Sequence, residues 1–257
     1  MKVTAWNNGD YSPTGAGCGL RLDPFERDQV VGWAMNKRTW FVLSIAFGLG
    51  LAPSVTAQPP EQKYDPGTFR WLIKTSVPDS TNLNPKKNVS LEDLLRFPHA
   101  PGVTRGTRDY LDTRIPHFAN NLGLNEGDII STTGWLHLVA TEANDGDYHI
   151  QISTRKDSAE PCLIVEVPIP HQKFVKDEAL YPGMKRTREL IHGLVKAYSA
   201  EPTLKGNVMT SPPYVRITGQ LFMDYWHVGE QRGKKTCKTA QAWEIHPVID
   251  MRFEPVP

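Results

Sequence analysis

Residues 129–141 read IISTTGWLHLVAT, and residues 142–147 that follow read EANDGD. The first segment alternates in the manner of a half-buried β-strand, with Gly134 inside it, and the second is a turn signal. Tyr148 to Ser153 alternates again, and Cys162 to Val167 (CLIVEV) is a mostly apolar strand. Over 183–199 the period changes: Met184, Leu190, Ile191, Leu194, Val195 and Tyr198 recur at helical spacing. Pro212-Pro213 interrupts the chain before a fourth strand at Tyr214–Met223 (YVRITGQLFM). A Gly- and Lys-rich loop covers 229–240, and the last strand runs from Trp243 to Phe253. Strand, strand, strand, helix, strand, strand is the chain order of an OB-fold. Gly134 and Gly219 fall inside strands, where a small barrel needs a sharp bend or a bulge. The expectation is a mainly β protein with one or two helices. Its centre is an OB-fold-like five-stranded β-barrel over 128–257, preceded by an irregular N-terminal arm. Other small barrels share the strand count. A ferredoxin-like sheet needs a helix after its first strand, and no such pattern is present.

Upstream of the barrel the pattern is weaker. Residues 58–66 form a polar lead-in containing prolines, and Phe69 to Thr75 (FRWLIKT) reads as a short strand. Residues 76–90 read as loop. Ser90, with an acidic residue three positions later and Leu91, Leu94 and Leu95 on one stripe, predicts a capped short helix. Prolines at 98, 101 and 116 leave 98–127 irregular, so 58–127 is expected to be an arm packed on the barrel.

Residues 35–57 (MNKRTWFVLSIAFGLGLAPSVTA) have the form of a signal peptide. Lys37 and Arg38 supply the positive region, Trp40–Ala52 the apolar region, and Val55-Thr56-Ala57 the small residues before a cleavage site. The apolar run is shorter than the ~20 residues of a spanning helix. The expectation is export to the periplasm or the extracellular space, with no stable transmembrane span after cleavage. Residues 1–34 then read as an over-extended start, Met35 being the true one, or as a disordered leader.

The chain has 257 residues, 39% of them hydrophobic and 22% charged, enough to bury a core and too apolar for wholesale disorder. With 29 basic and 28 acidic residues, it is not a globally basic nucleic-acid binder, although a local basic patch remains open. Three cysteines exclude a disulfide-dense scaffold. After signal cleavage Cys162 and Cys237 remain, an even pair that an oxidising compartment allows to bridge. Cys162 lies in an apolar strand and reads as core rather than as a nucleophile. No phosphate-binding glycine loop, nucleophile elbow or zinc-protease helix is present.

Two groups of residues could carry chemistry. Asp147 and His149 are two apart on a strand and share a face, and Glu166 ends the neighbouring strand close to where theirs begins. Asp224 and His227 follow the fourth strand, while Glu244 and His246 open the fifth, its antiparallel neighbour. Carboxylates with imidazoles suit Zn²⁺ or Mn²⁺, and Mg²⁺ is a further candidate. They also suit acid–base work, with His149, His246 and Glu244 as the candidate catalytic groups. Asp147, His149, Glu166, Asp224, His227, Glu244 and His246 are the candidate metal ligands. A third group is basic and aromatic: Arg232, Lys234 and Lys235, flanked by Tyr225, Trp226 and Trp243, offer a nucleic-acid or polyanion surface near a loop that OB-folds use for ligands.

These motifs together resemble a family of exported, uncharacterised bacterial proteins. The resemblance rests on Arg70-Trp71 with Lys74-Thr75, then Asp145-Gly146-Asp147-Tyr148-His149, then Glu166-Val167-Pro168. It continues through Phe222, Asp224, His227 and Gly229 to Glu244-Ile245-His246-Pro247-Val248. It spans most of residues 69–253, and it implies export and the barrel but no activity. The loop from Arg232 to Lys238 departs from the family's uncharged pattern. Three functions are therefore expected in order: an exported OB-fold-like binding protein with nucleic acid or another polyanion as ligand; a divalent-metal-dependent hydrolase of phosphodiesterase or nuclease type; and a structural envelope protein.

Overall fold

The computed structural model describes residues 65–67, 69–196, 201–235 and 237–257. The expected leader and signal peptide (1–57) lie outside the described residues, as do the first residues of the arm. In chain order the elements are α1 (Trp71–Lys74), β1 (Lys87–Asn88), α2 (Leu91–Leu95), β2 (Ile129–Thr141), β3 (Tyr148–Ser153) and β4 (Cys162–Val167). Then come α3 (Tyr181–Val195), β5 (Asn207–Val208), β6 (Tyr214–Met223) and β7 (Trp243–Phe253). Among the described residues no helix is long and apolar enough to cross a membrane.

The sheet closes because β2 is long enough to serve two neighbours in turn. Its first half, Ile129 to Trp135, pairs antiparallel with β6. Its second half, Trp135 to Thr141, pairs antiparallel with β3, through a register shift between Leu136 and Leu138. β3 pairs with β4, β4 runs parallel to β7 at Val165↔Ile245, and β7 returns antiparallel to β6. The result is the expected closed five-stranded, OB-like barrel, with α3 between its third and fourth strands. The register of β6 on β7 slips around Gly219. A Cβ there would stand 2.5 Å from both the Pro247 carbonyl oxygen and Ile245 Cγ2. The bend expected at this glycine thus has a steric cause: two strands approach too closely for any side chain.

Alternation sorts the barrel strands into two faces. Ile150, Ile152, Val165, Val167, Ile245 and Val248 join the main apolar core, to which α3 adds Met184, Ile191 and Val195. The alternate residues carry the polar set, including His149, Gln151, Glu166, Glu244 and His246. They are buried as well, because two covers lie over that face.

The first cover is the arm. Phe69–Thr75 is not the expected strand. Arg70 takes a left-handed backbone conformation (φ 50°), and its carbonyl accepts the Ile73 and Lys74 amides at 2.9 Å, which makes residues 71–74 a helical turn. The Arg70 side chain gives the reason. All five of its donors are used: two on Glu126 at 2.6 and 2.7 Å, and the rest on the carbonyls of Tyr110, Thr113 and Met223. Its guanidinium also stacks 5.0 and 4.9 Å from the rings of Phe222 and Tyr225. A buried ion pair is tolerable only with its remaining valences satisfied in this way. Ser90 caps α2 as expected, accepting the Asp93 amide at 3.1 Å, and the buried Leu91 and Leu94 press the helix on the core.

The second cover is the loop after β6. A disulfide between Cys162 and Cys237, with Cα atoms 6.3 Å apart, ties it to β4. Gln151 holds it from β3, accepting the Lys234 amide at 2.7 Å and donating to the Cys237 carbonyl at 3.3 Å.

Gly219→Ala is expected to cost about 1–3 kcal/mol through overpacking at the β6–β7 contact. Urea unfolding followed by tryptophan fluorescence measures the loss, and a variant as stable as the parent would contradict the close approach.

Candidate functional site

The two carboxylate–imidazole groups of the sequence are one cluster, and Glu166 joins them. His149 and Glu166 are direct partners in the β3–β4 ladder, and Asp147 shares the face of His149. The parallel pairing of β4 with β7 then sets Glu166 beside Glu244 and His246, which flank Ile245 on the polar face. His246 is fully buried. Its Nδ1 lies 3.2 Å from Glu166 and 3.4 Å from Glu244, and its Nε2 lies 3.3 Å from Asp147. Burial opposes a charged imidazole, but these three carboxylates outweigh it and raise the His246 pKa well above the usual histidine value. Burial likewise opposes the Glu166 carboxylate, yet hydrogen bonds from His149 and His246 hold its pKa well below the ordinary range.

Arg232 and Lys74 complete the charge pattern. Arg232 reaches in from the second cover to Glu244 at 2.5 Å and lies 3.5 Å from Asp224. Against burial, it lowers the Glu244 pKa. Lys74 reaches in from α1 to Asp145 at 3.2 Å and Asp147 at 3.9 Å. Burial would discharge it, but Asp147, Asp145, Glu166 and Glu244 hold its pKa above the lysine value. Asp147 and Asp224 are raised: burial comes first, then repulsion by Asp145 and by Glu244 respectively. The carboxylates of Glu142, Asp145, Asp147, Glu166, Asp224 and Glu244 face Lys74, Arg232, Lys234 and the His246 imidazolium.

The second group expected from the sequence divides. Glu244 and His246 turn inward, whereas Asp224 and His227 stay at the rim, where His227 Nδ1 pairs with Glu230 at 2.9 Å. Asp224 Oδ1 is buried without a hydrogen-bond partner. Two clefts of about 600 and 440 Å³ open here, sharing Lys74, Glu166, Asp224 and His227 as lining. The first has Phe69, Phe222 and Trp226 as an aromatic wall, and the second reaches Glu142 and His149.

Glu142 is the residue that sequence reasoning passed over. It lies in the β2–β3 turn and places Oε1 3.3 Å from His149 Nδ1. Glu166 Oε1 is 3.1 Å from the same nitrogen. Glu142, His149 and Glu166 thus bring three ligand atoms within 4.8 Å of one another, and Asp147, Glu166 and His246 do so a second time. The signal for Glu142 was its position five residues before Asp147 in an acidic turn. For Lys74 it was the Arg70-Trp71…Lys74-Thr75 motif.

The basic and aromatic surface expected at 225–243 is not assembled. Tyr225 and Trp243 are core residues, Trp243 packing against Phe97 and Phe118. Trp226 is 38% exposed, but Arg105 stacks on its ring. Arg232 points inward, Lys234 pairs with Glu142 at 2.9 Å, and Lys235 caps the Gly206 carbonyl at 2.5 Å. The physical reason is that the protein's own acceptors take up these cations: the acidic wall takes Arg232 and Lys234, and a backbone carbonyl takes Lys235. This arrangement does not support a nucleic-acid or polyanion partner on these residues. Compared with protein-family models and with curated proteins, the chain matches none.

Two outcomes follow. Histidine in an unfolded chain titrates near about 6.5. With its folded pKa raised, His246 adds stability that is complete below that value and lost as pH climbs through the folded pKa. The raised Asp147 acts in the same direction from its own lower value. Glu166 and Glu244, whose pKa values are lowered, add stability above about 4.5 that is lost as pH falls through their folded values. In chelator-treated protein the urea midpoint is therefore expected to peak between about pH 5 and 6.5 and to fall toward pH 9. His246→Gln flattens the alkaline limb and costs about 3–5 kcal/mol, since it leaves buried carboxylates unpaired. An unchanged alkaline limb in that variant would overturn the assignment. Separately, Cys162→Ala with Cys237→Ala is expected to lose about 2–4 kcal/mol by freeing the loop in the unfolded chain, measured by non-reducing denaturation of both proteins.

Proposed function

We propose that this protein is an exported divalent-metal-dependent hydrolase, with Glu142, His149 and Glu166 as its metal ligands. The observation that carries the reading is the placement of His149 Nδ1 between Glu142 Oε1 and Glu166 Oε1, at 3.3 and 3.1 Å. Ligands bound at about 2.1 Å in tetrahedral or octahedral geometry stand roughly 3.0–3.4 Å apart. Three protein ligands beside an open cleft leave a coordination position for water, the pattern of catalytic rather than structural zinc. One imidazole with two carboxylates favours Zn²⁺ or Mn²⁺ over Mg²⁺. The carboxylates gathered at this cleft suit a cation, whereas a polyanion on the same wall would meet them as like charges.

Within this reading the roles are specific. His149 serves as ligand, and its Nε2 is buried without a hydrogen-bond partner. His246 and Glu244 are positioning residues: His246 holds Glu166, and Glu244 holds Arg232 at the lip. Bound metal would supply a hydroxide near neutral pH and polarise the scissile group. The aromatic wall of Phe69, Phe222 and Trp226 would seat the substrate's apolar part. Lys234, beside Glu142, competes with the metal for one ligand.

The test is metal analysis of purified protein after exhaustive dialysis, followed by titration with Zn²⁺ and Mn²⁺. About one metal per chain is expected, lost in Glu166→Gln and held severalfold more tightly in Lys234→Ala. Saturating metal at a hundredfold excess over Kd should add about 2.7 kcal/mol of stability. A chain that takes up neither ion, or a Glu166→Gln variant that binds like the parent, sinks the proposal.

A further inference from the structure

A cleft of about 650 Å³ lies along β6 and β7, toward the opposite end of these strands from the carboxylate cluster. Arg216 and Arg252 face each other directly across the β6–β7 ladder. Like charges in that register repel, so the pair requires a counter-charge. Glu254 supplies one: its Oε1 accepts from Arg216 Nε at 2.7 Å and from Arg252 Nε at 3.0 Å. One carboxylate thus serves two guanidiniums, and each engages only its Nε, leaving the terminal nitrogens without a hydrogen-bond partner among the described residues. Arg186, from the facing wall on α3, has Asp250 as its one carboxylate neighbour among the described residues, at 3.7 Å. Three guanidiniums therefore share two carboxylates, and the excess positive charge lines a cavity of ligand size.

We propose that this cleft binds a tetrahedral oxyanion, the phosphate or sulfate group of a small ester. Guanidinium forks match such oxygens in pairs, and they bind them more strongly than neutral donors do. Asn88 and Thr218 line the same cleft and offer polar groups to further oxygens, while Leu180, Pro182 and Ile249 give the organic part an apolar surface. The site uses no residue of the proposed metal centre and stands without it. It lies on a wall where the guanidiniums outnumber the carboxylates that meet them.

Isothermal titration of the purified protein with phenyl phosphate and with phenyl sulfate, at low salt, tests this. One saturable site is expected for at least one of the two esters, and the tighter of them names the group. Arg216→Gln and Arg252→Gln should each weaken it at least tenfold, and rising salt should weaken it further. Glu254→Gln should tighten it by removing the competing carboxylate. Glu166→Gln should leave it unchanged, so loss of the metal reading and loss of this one are distinguishable. Arg186 is 64% exposed, so Arg186→Gln keeps the test open if either strand variant fails to fold. Absence of saturable heat with both esters, or affinity equal to the parent's in all three arginine variants, overturns the proposal.

Discussion

A fully buried imidazole among three carboxylates is the interaction on which the polar side of this barrel depends. Without a proton on His246, Asp147, Glu166 and Glu244 would face one another in a medium that screens poorly. With it, two consecutive strands and a distant third are joined on one face: the start of β3, the end of β4 and the start of β7. The covers then extend the same logic. Lys74 arrives from the arm and Arg232 from the loop, each set against a carboxylate that the imidazolium leaves partly uncompensated. The arm owes its position to a second buried pair, Arg70 with Glu126, in which every guanidinium donor has an acceptor. The molecule's two ionic centres are thus linked through α1, which follows directly on Arg70 and ends at Lys74.

How much of this was legible in the sequence depended on the range of the interaction. Local signals read well: the Ser90 cap, the period change at α3, and the glycine at the β6 bend each act within a few residues or across one strand contact. The barrel followed from element order alone. Pairs on adjacent strands were also legible, since His149 opposite Glu166 needs only the β3–β4 hairpin. The parallel contact of β4 with β7 was not used to join the groups, and it is the contact that makes one cluster out of two. Phe69–Thr75 misled because apolar content suggested a strand, whereas Arg70 needed a left-handed residue to reach Glu126. The aromatic residues misled in the opposite way. Tyr225 and Trp243 resemble stacking platforms in sequence, but the irregular arm supplies Phe97, Phe118 and Arg70 to bury them. Such contacts link positions more than a hundred residues apart and leave no periodic trace.

The loop from Asp224 to Ala242 shows why a charge count along the chain says little about a partner. Its cations look like a docking patch until the wall beneath is considered. That wall carries more acid than its own strands can compensate, and the loop's Arg232 and Lys234 are directed at it. Across the barrel, where among the described residues Arg216, Arg252 and Arg186 meet the carboxylates of Glu254 and Asp250 alone, similar side chains are left with donors to spare.

The covered state of β3 and β4 has one more consequence. OB barrels commonly present these strands as an open track along which an extended chain can lie. Here the arm and the disulfide-tied loop roof that track, and the described openings lie at its edge, beside Glu166 and Asp224. Access is therefore end-on. A long polymer could offer this face no more than a terminus, whereas a compact molecule could enter whole, so the roof sorts visitors by length before any side chain reads their chemistry.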